Sequence, residues 1–210
     1  MSQPTETPQQ TRRDRLSERL VAAAEAAICD RGLAGLKARE LAQSAGCALG
    51  AIYTVFEDLD ELILRVNART LARLEAELAT PQGEAGDLRR LALVYLSFAR
   101  SEEPRWRALF EHRLPPQKPL PQWYAIERDR LFDLLEAPLA RLLPEEPTEK
   151  LRLRARTLFS AVHGIVLLGL DEKLAETASR TLDAELSAFI DTIEAGLSAA
   201  GACQSSPALK

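Results

Sequence analysis

Few residues in this 210-residue chain are placed to do covalent chemistry. His112 and His163 are its two histidines, and neither sits in an H-E-x-x-H spacing that would put two imidazoles on one helix face for a metal. Cys29, Cys47 and Cys203 are far apart and form no C-x-x-C pair, which argues against a zinc site or a disulfide framework and fits a reducing, cytoplasmic compartment. No nucleophile elbow G-x-S-x-G, dinucleotide fingerprint G-x-G-x-x-G or phosphate-cradling loop is present. The acidic pair Glu145-Glu146 stands between prolines and reads as solvated. We expect no enzyme, no catalytic residue, no metal and no cofactor.

The remaining chemistry is charge. The net charge of −4 does not suggest nucleic acid, but it is unevenly spread. Residues 1–56 hold seven Lys/Arg against six Asp/Glu, and the rest hold twenty against twenty-five. Arg12, Arg13, Arg15 and Arg19 are bunched near the start, where one helix can turn them toward phosphates. The same residues also suit an ordinary solvated face.

The elements that must carry these residues are helical. Ala, Leu, Arg and Glu dominate, β-branched residues are sparse and no period-two stretch occurs, so the expected class is all-α. The start, MSQPTETPQQTRR, is polar and lacks a signal core. The longest apolar run, LFSAVHGIVLLGL (158–170), is thirteen residues, too short to span a bilayer, and reads as a buried helix with no membrane role. Residues 1–11 are expected to be a disordered tail and 204–210 a flexible one. A first helix begins near residue 12, with Leu16, Leu20, Ala24, Ala27 and Ile28 at helical spacing, and ends at Gly32, which suits a left-handed cap. Short helices follow at about 37–44 and 48–54, then a long one carrying Leu59, Leu62, Ile63, Val66, Leu74 and Leu78. Further helices are expected at about 85–102, 103–113, 121–141, 147–170 and 177–200, separated by proline-rich breaks.

The segment ELAQSAGCALGAIYTVF (40–56) is the informative one, because Gly46 and Gly50 interrupt a run of helix formers at roughly 1 kcal/mol each. Two short helices joined by a tight turn at Gly46 explain the first glycine. Leu41, Ala45, Cys47, Ile52 and Val55 then face inward, and Ala42 lies where the helices cross most closely. This is a helix-turn-helix arrangement, which presents the second helix to a DNA major groove. Gly50 falls on the outer face, where a missing side chain lets the backbone approach a phosphate or base. A plain surface glycine is the alternative.

The stretch GLAGLKARELAQSAGCALGAIYTVFEDLDELI resembles the DNA-binding segment of the tetracycline-repressor (TetR) family. The resemblance runs through Gly32, Leu41-Ala42, Ala45-Gly46, Gly50, Ile52-Tyr53, Phe56 and Leu62, and covers about residues 14–74. His163-Gly164 is also similar to a C-terminal subgroup named for its Trp, His and Gly, with Phe159 standing where that Trp usually falls. The family's phosphate-contacting Lys at the start of the fourth helix is Leu59 here, and its Ser/Thr cap on the second helix is replaced by Lys37 and Ala38.

The resemblance implies a DNA-binding transcriptional regulator, usually a ligand-responsive repressor, binding a double-stranded palindromic operator as a homodimer. Its N-terminal three-helix DNA-binding unit would occupy 12–74, with the motif at about 37–56. A larger helical effector-binding and dimerisation domain would occupy 75–203. The expected DNA-contacting residues are Lys37, Arg39, Leu49, Gly50, Ala51, Tyr53 and Thr54. Arg39 can fork onto a guanine, or else pair with Glu40. Lys37, Tyr53 and Thr54 can reach phosphates. Leu49 and Ala51 offer only apolar contact to thymine methyls, which predicts thymine-rich contacts and weak direct readout.

A small-molecule effector is expected among the aromatics of residues 95–132. Tyr95, Phe98, Trp106, Phe110, Trp123 and Tyr124 would line its pocket, with His163 or His112 as a polar contact. Arg105 and Arg107 would be surface charges or gate an anionic ligand. The last two helices are the expected dimer interface, through Phe159, Val162, Val166, Leu186, Phe189 and Ile193, because a helix apolar nearly all round needs a partner. The alternative function is a helical interaction or sensor protein with a degenerate helix-turn-helix and weak DNA binding.

Overall fold

A computed structural model describes residues 7–80, 88–171 and 179–204 of the chain. All regular structure among the described residues is helical. The helices are α1 (Pro8–Arg31), α2 (Ala38–Ser44), α3 (Leu49–Val55), α4 (Leu59–Ala79), α5 (Leu88–Ser101), α6 (Glu103–Glu111), α7 (Gln122–Leu142), α8 (Thr148–Leu170) and α9 (Ser179–Gln204), with a 3-10 turn at Leu33–Gly35. The expected tail is shorter than the composition suggested. Residues 8–11 form the first turn of α1, because Thr7 Oγ1 accepts from Gln10 N and Pro8 takes the first helical position, where its missing N–H costs nothing. Residues 1–6 and 205–210 lie outside the described residues.

The chain divides into two compact units. One comprises Met1–Leu71 with Glu102–Tyr124, the other Ala72–Ser101 with Ala125–Lys210. A single cut at residue 74 is therefore replaced by a division inside α4, and α6 joins the first unit although the sequence places it after α5. The reason is packing. Ala108 of α6 is buried with Leu20, Ala24 and Ile28 of α1, Leu41 and Ala42 of α2, Ile52 of α3 and Leu62 of α4 in one core.

Two glycines in this unit carry positive φ. Gly32 ends α1 at φ 68° and ψ 178°, and its N–H donates to Ile28 O. Its φ is positive as expected of a cap, but its extended ψ belongs to a region essentially confined to glycine rather than to the left-handed helix. Gly46 has φ 62° and closes a Schellman motif on α2: Gly46 N donates to Gln43 O at 3.1 Å and Cys47 N to Ala42 O at 2.9 Å. Gly46→Ala forces an L side chain into the left-handed region, and we expect a loss of about 1–2 kcal/mol in unfolding free energy, measured by urea titration.

In the second unit α5, α8 and α9 pack on one another. Leu91, Tyr95, Leu96 and Phe98 of α5, Leu158, Val162 and Val166 of α8, and Leu182, Leu186 and Ile190 of α9 are its buried side chains. At 23 residues, α8 is longer than its apolar run and is long and apolar enough, by length and composition only, to cross a membrane. Its inward stripe of Leu151, Ala155, Leu158, Val162 and Val166 instead belongs to this unit's interior.

Candidate functional site

The seven-residue α3 is too short to hold itself in water and depends on its seat. Ile52 and Phe56 are 0% and 3% exposed, against Ala42 and Leu41 of α2 and the α1 core. Ala42 is 3% exposed and shares the core with Ile52 of α3, where a larger side chain would crowd its neighbours. Arg13 of α1 donates from Nη2 to Val55 O at 3.2 Å and so ties down the last turn of α3. Neither α2 nor α3 has a side-chain N-cap, as the Lys37-Ala38 sequence implied, although Glu40 places a carboxylate in the first turn of α2.

The outward side of α3 is bare. Leu49 and Tyr53 are 42% and 53% exposed, Gly50 and Thr54 are exposed, and Ala51 is half-buried. A Cβ at Gly50 would meet nothing within 4 Å, so nothing inside the subunit requires a glycine there. The Thr54 hydroxyl donates to Ala51 O at 2.7 Å, which leaves its oxygen as an outward acceptor. Arg39 is exposed near the start of α2. Glu40 does not pair with it, because that carboxylate is taken by Arg31 at 2.6 Å and Lys37 at 3.3 Å. The Arg31 hydrogen bond, helped by Lys37, holds the Glu40 carboxyl below its ordinary range. Lys37 is thus engaged in an exposed ion pair, of a kind worth under about 1 kcal/mol and easily exchanged for a phosphate.

The start of α4 is capped rather than cationic. Asp58 Oδ1 accepts from Glu61 N at 2.9 Å, and Glu61 reaches back to Glu57 N at 2.8 Å. In the loop after α6, Lys118 pairs with Asp58 and approaches Asp60 to 3.8 Å. Burial pushes the Asp58 carboxyl up, but the Lys118 hydrogen bond and the Glu61 N–H outweigh it and the net direction is down. Asp58 in turn holds the Lys118 ammonium above its ordinary range. His112 lies in this loop region too, with Nε2 3.0 Å from Asp60 Oδ1. It is therefore a fastener of the first unit rather than the pocket contact expected for it.

The aromatics expected to line one chamber divide between the units. In the first, Trp106 is fully buried and meets Phe110 edge-on at 5.6 Å, while Trp123 stacks under Arg65 and meets Tyr124 at 5.7 Å. In the second, Phe98 is fully buried, and Tyr95 OH lies 2.8 Å from His163 Nδ1. Phe159 completes this cluster, stacked on His163 at 5.8 Å and edge-on to Tyr95 and Phe132 at 5.5 and 5.4 Å. Burial lowers the His163 pKa, because desolvation disfavours the charged imidazolium. Phe132 closes the aromatic segment in which the effector was expected, whereas Phe159 was expected at the dimer interface and not in the pocket. The one signal for Phe159 was its place a single turn before His163.

Arg105 and Arg107 are not gates. Arg105 bonds Glu25 at 3.0 Å and also Glu102, and Arg107 bonds Glu103 at 2.8 Å. Glu25, 8% exposed inside α1 and also 3.6 Å from Arg69 of α4, has no sequence signature, since a Glu on a helix normally reads as surface.

The expected dimer residues also separate. Val162, Val166 and Leu186 are buried within their own unit, and Phe159 belongs to the aromatic cluster. Phe189 and Ile193 are half-buried and face outward into an apolar trough of about 520 Å³, together with Leu153, Ala161 and Leu197. Leu153 is 66% exposed. The outward side of α8 is therefore Leu153–Thr157–Ala161, rotated away from the positions predicted. Over the nearly all-apolar run 158–170, periodicity does not say which side is inward.

A short exposed helix set on a Schellman turn in an N-terminal helical unit, with a second all-helical unit beside it in the chain, defines a helix-turn-helix transcriptional regulator. The family model described as the tetracyclin repressor-like C-terminal domain matches residues 88–193, and the chain belongs to that family. It is a DNA-binding regulator and not an enzyme.

Solved structures share the fold. A TetR-family transcriptional regulator from Streptomyces coelicolor is 22% identical, with TM-score 0.63 over 91% of this chain and 83% of its own. RolR, solved with resorcinol, is 16% identical, with TM-score 0.63 over 95% and 98%. BioQ, solved with its natural double-stranded DNA operator, is 18% identical, with TM-score 0.59 over 87% and 98%. No curated protein matches the sequence.

Proposed function

We propose that the protein is a ligand-responsive repressor that binds a palindromic double-stranded operator as a homodimer in the cytoplasm. The observation that carries the reading is α3 itself: it is packed on one side through Ile52 and offers Leu49, Gly50, Tyr53 and Thr54 to the outside, with Arg39 exposed at the start of α2. Tyr53 and Thr54 have the hydroxyls for phosphates, and Arg39 the fork for a guanine. Leu49 and Ala51 add thymine-methyl contact. With so few base-edge donors, selectivity rests on half-site spacing and DNA shape as much as on direct readout.

One α3 touches few base pairs, and two-fold pairing through the α8–α9 trough doubles the site. The effector is a small molecule received among the aromatics of the second unit, with the Tyr95–His163 pair as its polar contact. Effector and DNA then weaken each other's binding reciprocally.

Selection of bound DNA from random sequence tests this reading. The expected result is a palindrome with thymine-rich half-sites, and Arg39→Ala should relax the preference at one guanine by about 1–3 kcal/mol. A strict guanine-rich core unaffected by Arg39→Ala overturns the readout. Binding to no sequence in a salt-dependent way would favour an interaction protein with a degenerate motif.

A further inference from the structure

The first helix separates its charges. At about 100° per residue, Arg12, Arg15 and Arg19 fall within a sector about 60° wide, while Asp14 and Glu18 fall outside it. The two acids are engaged locally: Glu18 pairs with Arg69 of α4, and Asp14 accepts from Gln10 Nε2 at 3.1 Å. The three arginines are exposed, with no ion pair or hydrogen bond among the described residues. Arg13, their neighbour, faces another way and is spent on Val55 O.

Two contacts place this stripe. Arg13 meets the last turn of α3, and Arg19 Nη1 lies 3.9 Å from where a Cβ of Gly46 would stand, at the turn that begins α3. The six-residue step between them covers about 9 Å of α1, close to the length of the seven-residue α3. Residues 13–19 of α1 thus run alongside the recognition helix from its end to its start. A helix seated in a major groove has a phosphate ridge on each side.

We propose that Arg12, Arg15 and Arg19 form a phosphate-binding rail parallel to α3, and that Arg13 is a positioning residue that fixes α3 against it. The inference rests on the reading that α3 enters the major groove. The rail supplies sequence-independent attraction that the apolar α3 lacks, and it explains how a chain of net charge −4 holds DNA.

The test uses the full-length protein and its selected palindrome, with affinity followed by fluorescence anisotropy across a salt series. Each lost phosphate contact flattens the slope of log K against log salt by about 0.9. Two subunits lose three contacts each in the triple variant R12A/R15A/R19A, so its slope flattens by about 5. The triple lysine variant R12K/R15K/R19K keeps the wild-type slope, because charge and not fork geometry is required. Arg13→Ala lowers affinity with the slope retained to within about 1. Circular dichroism and melting of each variant separate these effects from unfolding. A wild type that reads its palindrome while the triple alanine variant keeps its slope overturns the rail alone. A wild type with no salt-dependent binding overturns both the rail and the reading beneath it.

Discussion

Replacing Leu153 and Ile193 together by arginine is expected to leave a folded monomer and to weaken binding to a two-half-site operator by at least about a hundredfold. Both side chains border the α8–α9 trough, and Leu153 is 66% exposed, so the subunit's own interior does not need it. Burying a leucine of this kind against a partner is worth about 1.5–3 kcal/mol. An interface on a two-fold axis presents the same patch from both sides, so four arginines would meet in a trough that already holds Lys150 and Arg154 against the single acid Glu146 of each subunit. The loss on DNA follows from linkage: tying two binding units together raises avidity by about 10²–10⁴, and that factor disappears with the dimer. Sedimentation velocity checks the mass. Binding to an isolated half-site, unchanged from wild type, checks that α3 is intact. A double variant that remains dimeric moves the interface off this trough.

Trp106→Ala is expected to cost about 3–5 kcal/mol of stability, the largest single-site loss in the first unit. The indole is fully buried on α6, two residues before Ala108 in the shared core, and Phe110 meets its edge. Removing it leaves a cavity that short helices on either side do not readily close, and α6 loses its hold on α1. The urea midpoint should fall with the m-value retained. The size of the effect also separates two roles for this residue. A loss below about 1 kcal/mol would mean that Trp106 lines a solvated chamber, as its sequence neighbourhood suggested, and not a packed core.

The helix-turn-helix was legible because its constraints are local. Gly46 adopts a φ that other residues reach only with strain, Ala42 is a small residue buried in the shared core, and Ile52 is the fully buried residue of a seven-residue helix. Each of these follows from residues close in the chain. The proline breaks bounded α7 and α8 for the same reason. The start of α1 was misread because the Thr7-Pro8 cap, a two-residue signal, was outweighed by the polar composition around it.

Other features depended on which distant surfaces meet. Arg13 and Arg12 are adjacent and chemically identical, yet the first bonds Val55 O and the second remains outside, and only the path of α1 past α3 distinguishes them. The rings from Tyr95 to Phe132 form one run along the chain yet are shared between the two units, because α6 packs on α1. Which side of α8 faces inward was undecidable from the nearly all-apolar run 158–170 on which the expectation rested. Glu25 looked like surface until Arg105 and Arg69 arrived from elsewhere in the chain. The sequence alone determined the turn and the short helix set on it, since backbone sterics and helical period act over a few residues, and the motif they form carried the resemblance that implied a regulator. Tertiary structure decided the division of the arginines, the split of the aromatics and the outward side of α8, because long-range packing chooses among faces that local chemistry leaves equivalent.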